Sequence, residues 1–281
     1  MVAVMWRAMN GWNVDPIGGV LGARVSGIDL RVRLSDSERA DLYGLLLEHL
    51  VLVFSGQSIE DPHQMDLLAA WGRPYIHPIG RTSGVTEAKV ERIVDDEDRP
   101  PYQDKWHTDV TWDPDAPIIG SLRAIEMPTR GGDTIFASMY AAYDGLSESL
   151  QERLVGMTAW HDMGPGQSFI SKAGGELVER TRAQFPGAER PVVAIHPDSG
   201  RQYLNVNKNF TSHLMGFHRG ESDVLLNFLY NHATQPNYTI RYEWSEGDLI
   251  VWDERCTQHF AVADHFPQRR EMARLTVAAA G

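Results

Sequence analysis

Two residues standing two apart, His107 and Asp109 in Trp106-His107-Thr108-Asp109-Val110-Thr111-Trp112, are where this chain offers chemistry. In an extended segment residues i and i+2 point to the same face, so one short strand can aim an imidazole and a carboxylate at a single metal ion. A third donor lies far along the chain. There Leu249-Ile250-Val251-Trp252 reads as a buried strand that ends in a short polar turn from Asp253, followed by His259. Two histidines and one carboxylate form the facial triad associated with non-haem Fe(II), which leaves coordination positions open for substrates and O2. Alone, a His-x-Asp pair fits a solvent-facing strand equally well, so the weight falls on its company. Arg270 and Arg274 share a face of any extended strand, which would send two guanidiniums into one cavity. A lone buried charge costs several kcal/mol, roughly, so such arginines demand anions. These are either the protein's own carboxylates, since 38 acidic residues are available, or a small dianion and a second anion whose oxygens match the planar fork.

The composition narrows the rest. A chain of 281 residues with 42% apolar content can bury a substantial core as one domain, 1–281, without disulfides or a zinc cluster. The single cysteine, Cys256, cannot form an intrachain bridge, and no CxxC is present, so a reducing, cytoplasmic setting is expected. A net charge of −12 argues against a nucleic-acid partner, while leaving room for a local positive site inside an acidic protein. No uninterrupted apolar stretch reaches membrane-spanning length, so no membrane partner and no export are expected.

The elements that must position these residues are mostly strands. Val14 to Leu30, with its glycines and alternating apolar residues, reads as short strands with tight turns. No Gly-Lys-Ser/Thr follows, so this is no phosphate-binding loop. Ser35-Asp36-Ser37-Glu38 has the form of a capping box ahead of a helix to about His49, and the apolar run Leu50 to Phe54 reads as a buried strand. A second helix is expected from Asp61-Pro62 through Trp71. The polar region Arg81 to Pro101, with Asp95-Asp96-Glu97-Asp98, reads as a mobile acidic surface loop and a candidate lid. Strands are expected over 118–126, 131–136, 192–196, 202–206, 238–244, 248–252 and 274–279, and helices over 146–155, 176–185 and 222–232. Only a closed barrel or sandwich brings such distant ligand segments together easily.

Four blocks, in order, carry a family resemblance: His107-Thr108-Asp109-Val110-Thr111, Gly131-Gly132-Asp133-Thr134, Val251-Trp252-Asp253 with Thr257-Gln258-His259, and Pro267-Gln268-Arg269-Arg270 through Arg274. Together they resemble the taurine dioxygenase and 2,4-dichlorophenoxyacetate dioxygenase family of Fe(II)- and 2-oxoglutarate-dependent enzymes, over nearly the whole chain. The resemblance implies a mainly β fold with helical decorations, built on a double-stranded β-helix or jelly-roll core. It implies that His107, Asp109 and His259 bind Fe(II). Arg270 and Thr134 are implied to bind the distal carboxylate of 2-oxoglutarate, and Arg274, His77 and the Val110 backbone N–H to contact the substrate's anion. His77 beside an anion is expected to be protonated. The implied reaction consumes 2-oxoglutarate and O2, releases succinate and CO2, and hydroxylates a small anionic substrate whose product then collapses. A homo-oligomer, dimer or tetramer, is implied as well.

Two positions depart from the taurine-type pattern. An aromatic three residues after His77 and an asparagine four before His107 would be expected, and here Gly80 and Gln103 stand there. This disfavours taurine and leaves a larger alkylsulfonate, a sulfate ester or a carboxylate, with Gln103 among the substrate contacts. The remaining histidines, His265 among them, lie outside the blocks and are read as structural. Trp112, Phe169, Asn205, Asn207 and Phe210 are possible pocket walls, with packing as their default role. A non-catalytic jelly-roll metal- or ligand-binding module is the alternative, and a zinc hydrolase a third reading. Both leave the Thr134–Arg270 clamp without a purpose.

Overall fold

A computed structural model describes residues 11–102, 104–164 and 174–280. In chain order the strands are β1 (Asn13–Pro16), β2 (Ala23–Ser26), β3 (Val51–Phe54), β4 (Arg73–Pro74), β5 (Glu91–Asp95), β6 (Ile119–Glu126), β7 (Thr134–Ser138), β8 (Thr158–His161), β9 (Ala188–Pro191), β10 (Val193–Ile195), β11 (Gln202–Leu204), β12 (Thr211–Leu214), β13 (Thr239–Tyr242), β14 (Leu249–Asp253), β15 (Thr257–Ala261) and β16 (Arg270–Ala278). The helices are α1 (Asp36–His49), α2 (Asp61–Leu68), α3 (Pro78–Thr82), α4 (Met139–Asp144), α5 (Glu148–Leu154), α6 (Gly175–Gln184) and α7 (Arg219–Ala233).

The large sheet runs β1-β2-β3-β14-β6-β16-β4, with β5 also on β16, and it is antiparallel except where β2 meets β3. Smaller antiparallel sheets, β13-β7-β15, β12-β8-β9 and β10-β11, complete a second layer. Strands buried on both faces divide their side chains between two cores. Val51, Val53, Leu122, Ile250, Trp252 and Met272 point inward, to meet Phe136, Ala159, Leu204, Leu214 and Tyr242 from the second layer. Leu52, Phe54, Ile119, Leu249, Val251 and Leu275 point outward, under Leu42, Leu45 and Leu46 of α1 and Leu67 and Leu68 of α2. The result is a mainly β jelly-roll core with helices outside, as the sequence implies.

Local predictions hold where short-range chemistry sets the element. Ser35 and Glu38 form the reciprocal capping box of α1. Three expectations change. The second helix ends at Leu68 and not at Trp71, because Ala69 to Trp71 tighten into a turn with Ala70 and Trp71 bonding three residues back. The region 81–101 is not one mobile loop, since Glu91–Asp95 forms β5 on β16 and Asp95 is buried. Finally, β16 begins four residues earlier than expected, at Arg270, so both arginines lie on one strand.

One buried polar network ties the segment that carries His107 and Asp109 to the second layer. His161, with no exposed surface, stands between Thr111 Oγ1 at 2.8 Å and Thr211 Oγ1 at 3.2 Å, and Asn207 Nδ2 also donates to Thr111 Oγ1 at 3.2 Å. Burial, helped by Arg190, pushes the His161 imidazole down to about 3. Unfolded, this ring gains its proton near pH 6.5, roughly, so its neutral form contributes stability that is complete above that pH and lost as pH falls toward 3. We therefore expect the unfolding free energy to fall with acidification in this window. His161 should account for up to about 1.4 kcal/mol per pH unit. Urea unfolding of wild type and His161→Gln at several pH values checks this, and an equal slope in both would contradict it.

Candidate metal and co-substrate site

The central link is a pair of backbone hydrogen bonds. His107 N donates to His259 O at 3.1 Å and His259 N to His107 O at 2.8 Å, forming an isolated antiparallel bridge. The two rings lie together, tilted by 50° with centroids 4.2 Å apart. His259 sits on β15, after the short polar turn that the sequence suggests, while His107 and Asp109 share no strand, His107 making only this one bridge. Asp109 is brought in by a turn, in which Val110 takes a left-handed φ of 52° and its carbonyl accepts from Asp113 N at 2.9 Å. A β-branched residue in that region is strained, and such strain is held only where surrounding contacts fix it. Here Thr108 Oγ1 donates to Thr257 O at 2.7 Å, and Val110 and Trp112 are buried.

One candidate ligand atom from each of His107, Asp109 and His259 can be chosen so that all lie within 4.8 Å of one another, and all three residues are buried. His107 Nδ1 lies 2.7 Å from Lys105 O, which assigns its proton there and leaves Nε2, 3.5 Å from Asp109 Oδ1, with a lone pair facing the site. Burial pushes the His107 imidazole down, and burial with His107 alongside pushes His259 to about 3, so both rings are neutral donors. Burial works against the Asp109 charge, but Arg274 and the two histidines outweigh it and hold the carboxyl below its usual range. The donor set, its protonation and the orphaned His259 Nδ1 fit a divalent metal of the Fe(II) kind.

The turn between β14 and β15 is locked from behind. Asp253, fully buried, accepts from His196 Nε2 at 3.0 Å and from Arg255 Nε at 2.9 Å, and Arg255 NH1 reaches Asp198 at 2.7 Å. His196, Asp253 and Cys256 also cluster at ligand distance. This cluster is a latch and not a second metal site. His196 Nδ1 already accepts from Asp198 N and Ser199 N, each at 3.2 Å, and its Nε2 proton goes to Asp253. The latch delivers Glu254, whose Oε2 accepts from Asp109 N at 3.1 Å. Burial, then Asp109, pushes the Glu254 carboxyl well up, so a neutral acid underlies the ligand carboxylate.

Two cavities meet at the triad, and Tyr102, His107, Asp109 and Arg274 line both. The first continues past His259 to Thr134 and Arg270. Arg270 is buried and its Nε donates to Gly132 O at 3.1 Å. A Cβ on Gly132, at φ +76°, would stand 3.0 Å from Arg270 Cδ, so glycine there makes room for the guanidinium. Thr134 Oγ1 accepts from Trp244 Nε1 at 2.9 Å, which turns its own proton toward other acceptors. The second cavity is walled by Tyr75, Ile76, Ile79, Val85 and Phe210, with His77 and Val110 beside the triad.

The structure thus brings together His77, His107, Asp109, Val110, Thr134, His259, Arg270 and Arg274, whereas Gln103 and Phe169 lie outside the described residues. Arg274 also donates to Asp109 Oδ2 at 2.7 Å, a partner that the sequence did not suggest. In the protein by itself the His77 ring is neutral. Burial, with Arg274 adding, pushes it to about 3, and Nδ1 accepts from Ile79 N at 3.2 Å, leaving Nε2–H as its donor. Phe210 is a pocket wall, while Trp112 packs edge-on to His77 and Asn207 braces Thr111. Sequence reasoning missed Tyr102, Trp244, Glu254, Asp95 and His265. Asp95 and His265 line the first cavity, although Asp95 opens a run read as solvated and His265 was read as structural.

Residues 13–276 match the family model described as taurine catabolism dioxygenase TauD, TfdA family. Among known proteins the chain is 35% identical to the alkylsulfatase of Acinetobacter baylyi, over 92% of this chain and 83% of that one. It is 32% identical to the alpha-ketoglutarate-dependent sulfate ester dioxygenase of Pseudomonas putida, over 95% and 89%. Among solved structures it matches a taurine dioxygenase from Burkholderia xenovorans with a TM-score of 0.79 and 30% identity, over 95% and 91% of the two chains. Likeness of this extent, over a chain whose buried donors already fit Fe(II), shows that it belongs to the TauD, TfdA family and is a 2-oxoglutarate-dependent non-haem iron dioxygenase.

Proposed function

We propose that this dioxygenase acts on sulfate esters of apolar alcohols, with each anion held on its own side of the metal. The observation that carries the reading is the pair of cavities meeting at His107 and Asp109, each with its own cationic or donor group. His107, Asp109 and His259 hold Fe(II). Arg270 and the Thr134 hydroxyl receive the distal carboxylate of 2-oxoglutarate, the fork of a buried arginine being suited to a planar carboxylate. Arg274, His77 Nε2–H and the Val110 N–H hold the sulfate head. His77 offers its Nε2–H to the head group, since its Nδ1 already accepts from Ile79 N. With O2, the bound iron and 2-oxoglutarate supply the oxidising power that hydroxylates a C–H bond and yields succinate and CO2. The chain's part is to place the carbon next to the sulfate oxygen toward the triad and to keep water out with Leu122, Trp252, Phe210 and Val110. A carbon carrying both the new hydroxyl and the sulfate oxygen then loses the hydroxyl proton, expels sulfate and becomes an aldehyde.

The walls favour an apolar tail over an ammonium. Ile76, Ile79 and Val85 surround the space beside Gly80, and the two carboxylates on this cavity beyond Asp109, Glu87 and Glu91, are exposed residues. The alkylsulfatase and sulfate ester names of two relatives support the same class. We also infer a cytoplasmic homo-oligomer, dimer or tetramer, from the family resemblance and from a lone buried Cys256. Among the described residues no helix is long and apolar enough to cross a membrane.

Two outcomes are expected. Anaerobic protein loaded with Fe(II) and 2-oxoglutarate should give a weak visible charge-transfer band that His107→Ala abolishes; folded, iron-loaded wild type without the band would refute the assignment of the ligands. In a series of linear alkyl sulfates, kcat/KM for sulfate release with matching succinate should rise about fourfold per methylene until the cavity is filled, as burial of about 0.8 kcal/mol per CH2 requires. A flat series, or preference for 2-aminoethanesulfonate, would refute the apolar-tail reading.

A further inference from the structure

The cavity that contains Arg270 and Thr134 also holds a histidine that neither the metal ligands nor the clamp employ. His265 is 2% exposed, and neither ring nitrogen has a hydrogen-bond partner among the described residues. Its Nε2 stands 3.4 Å from Asp95 Oδ2, and that same oxygen is 3.9 Å from Arg270 NH1. One buried carboxylate oxygen therefore lies between a histidine and the arginine of the clamp. The placement is set by the fold, because Asp95 and Arg270 are directly opposed across the β5–β16 ladder.

The charges in this cavity need balancing when a dicarboxylate enters. Asp95, and more weakly Asp133, which is itself paired with Arg241, offset Arg270 beforehand, so a further carboxylate arriving at Arg270 would compete with Asp95 for one buried cation. The other charged or titratable groups on the cavity are Tyr102, Arg274 and the three metal ligands. Arg274 pairs with Asp109 at 2.7 Å and so faces the metal site and not Asp95. His265 touches Asp95, and histidine is the side chain that gains a proton most readily near neutrality.

We propose that 2-oxoglutarate binding is coupled to protonation of His265, whose imidazolium takes over Asp95 and frees Arg270 for the distal carboxylate of the co-substrate. The proton comes from solvent, and no covalent bond to carbon, nitrogen or oxygen of the co-substrate changes. His265 and Asp95 are positioning residues in this scheme, since they act through Arg270. The inference rests on Arg270 being the co-substrate clamp.

The test is calorimetric titration of anaerobic, Fe(II)-loaded enzyme with 2-oxoglutarate at pH 7.5, in buffers of different ionisation heat. Wild type should take up close to one proton per co-substrate bound, and His265→Gln should take up almost none and bind about tenfold more weakly. Asp95→Asn, which removes the charge conflict, should also lose the uptake, and the double variant should regain most of the affinity. No uptake in wild type, uptake unchanged in His265→Gln, or uptake persisting in Asp95→Asn overturns the proposal, and the first and third of these do not require His265→Gln to fold. Arg270→Leu separates the two readings. If it keeps wild-type affinity the clamp assignment is wrong, whereas if it loses affinity while His265→Gln behaves as wild type, only the role of His265 fails.

Discussion

Two backbone hydrogen bonds between His107 and His259 are the constraint on which the functional architecture depends. They join a segment that is otherwise a turn to a strand of the second layer, and they bring two imidazoles together before any metal is considered. Everything around them serves to hold that bridge in register. The Asp253 latch fixes the start of β15, Thr108 ties its own segment to Thr257, and Thr111 is braced by His161 and Asn207. Side chains can be aimed accurately only when their backbone is not free to slide, and a single bridge without a long ladder would slide if these flanking contacts were absent.

Burying so many ionisable groups in one place is costly unless each is neutral or matched. The site meets this condition by pairing Arg274 with Asp109, setting Asp95 opposite Arg270, and keeping His107, His259, His77 and Glu254 uncharged. The acidic balance of the whole chain, −12, therefore says little about the interior, where Arg270 and Arg274 line one cavity with His107, Asp109 and His259.

Much of this was legible in the residues. Ser35 and Glu38 announce α1 because capping is a contact between neighbours in sequence, and β3 announces itself because a strand covered on both faces must be apolar throughout. That His107, Asp109, His259 and the two arginines gather at one cavity was legible because metal and carboxylate chemistry restricts residue type more tightly than packing does. What was not legible is what depends on long-range pairing. Asp95 belongs to a run of acids indistinguishable in sequence from a solvated loop, and only its partner strand makes it a buried residue. His265 carries no spacing signal of its own, and Glu254 becomes a neutral acid only because Asp109 and the core close over it. The left-handed Val110 could not be anticipated either, since valine is among the residues least suited to that conformation.

The placement of both arginines on β16 has a consequence for selectivity along the substrate chain. Arg270 and Arg274 are four residues apart on one strand held by β6 and β5, so their separation along the backbone is fixed at about 13 Å. On the roles proposed above for Arg270 and Arg274, the strand would work as a rigid gauge, with the oxidant's position referred to one mark and the anionic head of the substrate to the other. Regiochemistry would then be counted from the head group and not from the tail, so lengthening the tail should leave the same carbon attacked while a bulkier head moves the point of attack.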